Sequence, residues 1–467
     1  MSEETPLLAS TSTSNEEVTE HERIYERFSR PRKTLILSLV SMAGILPLFV
    51  SGSFVPSIPQ IAKDLDTTGS IVSLAISLSV FTNCVGSLVW SRYSGFYGRR
   101  PMYIISTVFL CIGSFCVANA SSVPSLLSFR VIQAFGSASA LAIGMGVIGD
   151  IYKLEERGTA SGTYFGFVLL GPAIAPLAGG IATHYYSWRS MQLSIFIFSC
   201  FLLLLFIVFF PETSHPGTRG IDKLAQDGSK PRFVLLKPFS ILWYLKSPNI
   251  LLVALAGGLG LLTDYVLMVP IAYTIGRKYD ITNEALIGAL FVPNGLGNLI
   301  GAYVAGVLSD RKVVEWRERR GGVWVPEDRL RVTLVGALFW IPLSVLFSGL
   351  ITDNVRGTIG IVLNLICLFV NGVGLDFVLS PSASYNVDVL HSHSAEVTAA
   401  NMAFRGAIIS LTSAFVIPAV ETIGITATDT IAAILGWISF GLLWSVIKYG
   451  DRMRAYVDIG FSTAKDN

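Results

Sequence analysis

Apolar and polar positions in this chain fall into long blocks, without the short periods of a water-soluble fold. A helix needs about 20 apolar residues to cross a bilayer core of roughly 30 Å. Twelve stretches meet that need: 34–55, 70–92, 101–119, 124–149, 159–182, 190–211, 249–276, 283–309, 330–351, 357–380, 396–420 and 426–448. The longest connection, 212–248, leaves no room for a large soluble domain. The blocks therefore predict an all-α integral membrane protein with short loops. They divide it into a disordered tail (1–33), a six-helix bundle (34–211), a linker (212–248), a second six-helix bundle (249–449) and a C-terminal tail (450–467).

Composition narrows the class further. Of 467 residues, 52% are hydrophobic and only 14% are charged. A soluble chain carries about 25% charged residues, so this one lacks the polar side chains to cover soluble domains. Its 5 cysteines, Cys84, Cys111, Cys116, Cys200 and Cys367, all lie in apolar stretches and read as small hydrophobes. The first 30 residues are rich in Ser, Thr and Glu and hold no apolar core of a signal peptide.

Net charge is only +2, but its placement is informative. With the N-terminus inside, the inner segments carry 27 Lys and Arg. The outer loops carry 5: Lys63, Arg189, Arg277, Lys278 and Arg356. Positively charged loops stay in the cytoplasm, so both termini are expected there. The 2 that remain, Arg130 and Arg405, lie inside spans.

The chain also repeats itself. Ser94-Gly95-Phe-Tyr-Gly98-Arg99-Arg100 follows span 2, and Ser309-Asp310-Arg311 follows span 8. Gly149-Asp150 closes span 4, and Asn386-Val-Asp388 follows span 10. Two related six-span halves are the sequence mark of secondary transporters that bind substrate between the halves.

These motifs carry a resemblance. Tyr97-Gly98-Arg99-Arg100-Pro101, Arg130-Val-Ile-Gln133-Ala-Phe-Gly136 and Gly171-Pro172-Ala-Ile-Ala-Pro176-Leu-Ala-Gly179-Gly180 occur in order. They are followed by Pro211-Glu212-Thr213, then Tyr385-Asn-Val-Asp388 with Asn401 and Arg405. Together they resemble the major facilitator superfamily, and within it the fungal twelve-span drug:proton antiporters. The resemblance covers nearly all of residues 34–450 and implies twelve helices in two pseudo-symmetric bundles. Three positions depart from the pattern. Gly95 stands where the family has Asp, Ser91 where it has Gly, and Ala175 replaces the second Gly of the span 5 motif.

The resemblance also assigns roles. Arg130, with Gln133, takes part in proton coupling, against a purely structural alternative in which it bonds carbonyls and Gln133. A guanidinium in hydrocarbon is costly and turns to a cavity or an acid. Asp264 in span 7 and Asp376 toward the inner end of span 10 line the central cavity of the implied fold. A carboxyl group held inside the membrane suits reversible proton loading. Asp264 is the leading candidate, with a bond to Arg405 or a local kink as its alternative; Asp376 has an interfacial, wet position as its own. Gly171, Pro172, Pro176, Gly179 and Gly180 form the antiporter motif, where a kinked, close-packed helix restricts leak. Gly98, Arg99, Arg100, Asp150, Asp310, Arg311, Asp388 and Arg405 are expected at the cytoplasmic gate, with Asn401 one helical turn from Arg405.

Other signals are weaker. Gly144-Met-Gly146-Val-Ile-Gly149 spells a nucleotide-binding motif but closes an apolar helix, so its context fails. His184, His391 and His393 are expected to be solvated loop residues, Glu421 a solvated cap, and the Asn119 sequon unused. Glu3 and Glu4 before Leu7-Leu8 resemble an acidic dileucine sorting signal, which favours the vacuole, whereas the plasma membrane is the default expectation.

The expected function is secondary transport, not enzymatic catalysis: proton-coupled antiport that exports a small organic or amphipathic compound by alternating access. Drugs, toxins and secondary metabolites are all candidate cargoes. A dedicated exporter, facilitator or vacuolar loader of one organic acid or amine stays open, as does a non-transporting sensor. The partners implied are a small-molecule substrate, protons and the lipid bilayer, with no cofactor, metal or nucleic acid and a monomeric state.

Overall fold

The computed structural model describes residues 25–152, 154–215, 217, 219–226, 234–390 and 394–456. Eleven helices among them are long and apolar enough to cross a membrane. In chain order, the first half holds α1 (Arg30–Asp64), α2 (Gly69–Tyr97), α3 (Arg99–Ala118), α4 (Val123–Ile151), α5 (Leu154–Tyr185) and α6 (Trp188–Phe209). The second holds α7 (Pro248–Gly276), α8 (Glu284–Arg319), α9 (Pro326–Asn354), α10 (Gly357–Val389), α11 (Ser394–Ile423) and α12 (Ile425–Tyr456). The twelfth, α5, stands where the fifth span is expected and is a continuous helix of 32 residues.

Local chemistry sets the helix ends. Thr68 accepts from the Ile71 N–H to cap α2, Ser122 forms a capping box with Ser125 on α4, and Ser187 caps α6. Each satisfies a backbone donor that the helix leaves open. Proline interrupts α1, which breaks near Ile45 and passes through a 3₁₀ turn at Val55–Ser57 around Pro56. Between α2 and α3 the chain turns at Gly98, whose φ is +107°. Several helices outrun the apolar blocks: α10 continues through Pro381 to Val389, beyond the expected end at 380.

The described residues of the linker include a short helix at Gly220–Gln226 and a 3₁₀ segment at Pro238–Lys246. Arg219 donates to both carboxylate oxygens of Asp222 at 2.8 Å. Those hydrogen bonds hold the Asp222 carboxyl below the usual range. Tyr93 and Tyr97 accept from the Leu236 and Val234 N–H groups, which ties the linker to the end of α2.

The distribution of the core positions the site. On the face away from the linker, one apolar cluster is shared by the halves. It joins Phe54, Ile58 and Ile61 of α1 and Ile76 of α2 to Leu267 and Ile271 of α7, Phe291 of α8 and Ile417 of α11. Toward the linker face the cores separate. Ile36, Tyr103, Val147 and Phe206 belong to a cluster made by the first half, and Ile250, Val253, Tyr385 and Val446 to one made by the second. A strip of Leu88, Ile241, Ala399, Ala400 and Ala403 bridges them where α2 meets α11.

Candidate functional site

The groups that the sequence singles out fall into three places. The first is the middle of the bundle. Arg130 is fully buried in α4 and donates to the Val50 carbonyl at 3.3 Å and to Gln133 Oε1 at 2.8 Å. Its guanidinium lies over the Phe54 ring, 4.4 Å from the centroid. Nε and Nη2 have no hydrogen-bond partner among the described residues. Gln133 passes the network on, donating to Ser114 at 3.0 Å and Gln192 at 2.9 Å. Arg130 thus has the carbonyl and glutamine bonds of the structural alternative, and two donor atoms beyond them.

Across the bundle, Asp264 accepts from Asn294 Nδ2 at 2.8 Å, and Asn298 in turn donates to Asn294 at 3.2 Å. Asp376 is 8% exposed and lies within electrostatic range of both Asp264 and Arg405. Arg405 lies along the face of α7 that Gly257 and Gly258 leave open. Neither acid is ion-paired among the described residues, so both carboxyl groups stay available. Two expectations shift here. Asp376 is no wet interfacial acid, because α10 runs past it to Val389. Arg405 sits apart from Asp310 and Asp388, about 16 Å along α11 from the helix start at 1.5 Å per residue. It belongs with the two mid-span acids.

The second place is the linker face, where the repeat becomes visible as geometry. In the first half, Arg99 Nε donates to Asp150 Oδ2 at 3.0 Å and Nη1 to Ser94 Oγ at 2.9 Å. Glu212 accepts from the Arg99 and Arg100 backbone N–H groups at 2.9 and 3.3 Å, placing a carboxylate at the start of α3. A Cβ on Gly98 would collide with that carboxylate. In the second half, Arg329 bonds Asp388 and Asp310, each at 2.6 Å. Arg329 is thus the counterpart of Arg99, and Arg311, named from the motif, is exposed outside the pair. Gly95 leaves open space where the other half has Asp310, and Ser94 meets the arginine there.

The third place is the seam between halves on the opposite face. Gly171 faces Leu48 of α1, and Gly179 lies so close to the Ser53 carbonyl that a Cβ would overlap it. Gly180 approaches the Glu284 carbonyl of α8 equally closely, and Gly288 of α8 approaches the Pro176 carbonyl. Pro172 and Pro176 lie inside the unbroken α5. The motif helix therefore uses one small-residue row against its own half and another against the partner half. His184, expected in a solvated loop, closes this seam: Nδ1 lies 3.1 Å from Glu284 Oε2 and Nε2 3.3 Å from Asn283. Glu421 likewise accepts from Ser70 at 3.1 Å across α2 and α11. Glu3 to Leu8, His391 and His393 lie outside the described residues.

Sequence reasoning passed over Phe54, Gln192, Asn294, Asn298 and Arg329. The asparagines carried a signal, two amides one turn apart in an apolar helix. Arg329 carried none, as one of several cations in its loop.

Twelve helices in two bundles, meeting around buried polar groups, define a multi-pass membrane transporter fold. The family model for the Major Facilitator Superfamily matches residues 40–413, and the chain belongs to that superfamily. It is similar to citrate exporter 1 of Aspergillus niger, 28% identical over 61% of this chain and only 58% of that protein. It is also similar to the efflux pump radE of Floropilus chiversii, 25% identical over 90% of this chain and 80% of the pump. Among solved structures, a bacterial homologue of the human lysosomal transporter Spinster, inward-facing and unoccupied, superposes with a TM-score of 0.69. That match covers 91% of this chain and 99% of the other at 13% identity, a likeness of fold.

Proposed function

We propose that this protein exports a small organic compound from the cytosol by proton-coupled antiport, through alternating access of its two halves. The observation that carries the reading is the group of Asp264, Asp376 and Arg405 at mid-span. Asp376 lies within electrostatic range of both Asp264 and Arg405, and neither carboxyl group has an ion-pair partner among the described residues, so a proton can move on and off without a bridge being broken. The shared core away from the linker closes one face, and toward the linker the halves keep separate cores joined by the strip of Leu88, Ile241, Ala399, Ala400 and Ala403, the contact that parts when the site opens inward. In this reading the linker face is cytoplasmic, in keeping with the distribution of Lys and Arg. The small-residue seam of α5 against α8 seals the outer face while the site is open inward. A pH difference of two units supplies roughly 2.7 kcal/mol per proton, and each charge moved gains roughly 2.3 kcal/mol per 100 mV. No nucleotide is needed.

A carboxylate-bearing cargo is the second reading. The free Nε and Nη2 of Arg130, beside the Phe54 ring, suit an organic acid with an apolar body. The similarity to a citrate exporter points the same way. Purified protein in liposomes with an imposed pH gradient separates the cargoes. Tracer flux of citrate-like acids should depend on Arg130, and flux of lipophilic amines on Asp264 and Asp376. Flux of either class that survives Asp264→Asn and Asp376→Asn together, with its pH dependence intact, would falsify the coupling role. The membrane is assigned as the plasma membrane, and a vacuolar pool that disappears on Leu7→Ala and Leu8→Ala would reassign it.

A further inference from the structure

A second polar site lies outside the central group, at the end of the second half away from the linker. A cavity of about 10 Å³ is lined there by Thr274 of α7, Ser348 and Thr352 of α9, and Ile425 and Asp429 of α12, closed by Val266, Leu267 and Ile275. That is room for one water-sized particle. Asp429 is 4% exposed and has neither a hydrogen bond nor an ion pair among the described residues. Its carboxylate is accommodated by Gly349, where a Cβ would stand 2.9 Å from Oδ2.

The hydroxyl groups around it all donate elsewhere. Ser348 and Thr352 give their hydrogens to Asn364 Oδ1, at 2.8 and 3.3 Å, and Thr274 gives its own to the Pro270 carbonyl at 3.2 Å. Asn364 is fixed in that orientation because its Nδ2 donates to the Gly360 carbonyl at 3.0 Å. A hydroxyl that has spent its proton offers only lone pairs. The polar groups of the cavity are therefore acceptors, with one carboxylate and no side-chain donor among them to meet it. A carboxylate so little exposed and unpaired is unfavourable until a proton or a cation neutralises it, and polar groups that are all oxygen acceptors suit a hard cation. Asp353, exposed at the rim and bonded to Thr426 at the start of α12, adds negative charge at the entrance.

We propose that this cavity binds one monovalent cation of sodium-ion size, with Asp429 as its charged ligand and Thr274, Ser348 and Thr352 as neutral oxygen ligands. The site is separate from Asp264 and Asp376 and joins α7, α9 and α12. Its occupancy braces the outer end of the second half whatever the transported compound is.

Thermal unfolding of the purified full-length protein tests this, with sodium chloride exchanged for N-methylglucamine chloride at constant ionic strength and pH. The expected result is a saturable rise in Tm of about 2–4 °C with sodium. Asp429→Asn should abolish the rise. Ser348→Ala with Thr352→Val should weaken the apparent sodium affinity about tenfold, the loss of one or two ligand contacts. Asp264→Asn should leave the response unchanged. Direct binding of ²²Na⁺ to the native protein provides a reading independent of any variant's folding. A flat sodium response in the native protein overturns the proposal. So does a response retained in Asp429→Asn, or one lost in Asp264→Asn.

Discussion

At the scale of single residues, the two halves solve one problem with different atoms. Arg329 has carboxylates on both sides, whereas Arg99 has Asp150 on one side and the Ser94 hydroxyl on the other. Exposure decides what the missing carboxylate at Gly95 costs. Asp310 is 71% exposed in its pair with Arg329, and Asp388 is 19% exposed. Exposed ion pairs contribute about 0–1 kcal/mol, whereas removing one partner of a more buried pair costs more because it leaves a charge uncompensated. Asp388→Ala should therefore lower Tm clearly more than Asp310→Ala in purified protein; equal losses would contradict this ranking. Gly95→Asp should be tolerated, because its Cβ points into open space. Gly98 is different: a φ of +107° and the Glu212 carboxylate both exclude a side chain. Gly98→Ala should cost about 1–3 kcal/mol, read as a drop in Tm, and an unchanged Tm would remove Gly98 from the turn's requirements.

Among elements, the contact of α5 with α8 holds helices of different halves at backbone distance. Gly180 and Gly288 meet the opposing backbone directly, and His184 with Glu284 and Asn283 pins the end of the seam. Gly180→Val should push the helices apart and shift the population away from the closed outer face. Cysteine pairs placed across the seam should then cross-link more slowly than in the native protein, and an unchanged rate would show that the seam tolerates bulk. His184→Ala, which removes only a peripheral contact, should slow the same cross-link by less.

The helices themselves were legible in the sequence because lipid imposes a simple rule: every span must be apolar and must satisfy its own backbone. The edges were not, since α10 continues through polar residues once they are buried by neighbours. The α5 motif was legible for the same kind of reason, as small residues in register mark a close helix contact. Arg329 was hidden because its role depends on how the 3₁₀ turn at Pro326–Val332 brings it to α8 and α10. Arg405 lies beside Asp376, a depth in the bundle that distance along a sequence does not reveal. Asp429 went unnoticed as an acid near a helix end, and only its lack of donors sets it apart.

For the whole molecule, the separated cores on one face and the shared core on the other describe a body able to rock about the contact of α2 with α11, where Ser77 and Ser410 bond reciprocally across the halves at 2.6 and 3.0 Å. Coupling requires that movement to depend on the charge state of the mid-span group, which sets the decisive measurement. Liposomes containing the protein, weakly buffered inside and given a gradient of transported compound but no initial pH gradient, should develop a luminal pH change as the compound moves. The change should reverse sign when the compound gradient is reversed and vanish in Asp264→Asn. A compound gradient that dissipates through the native protein with the luminal pH unmoved would contradict proton-coupled antiport and leave facilitated diffusion in its place.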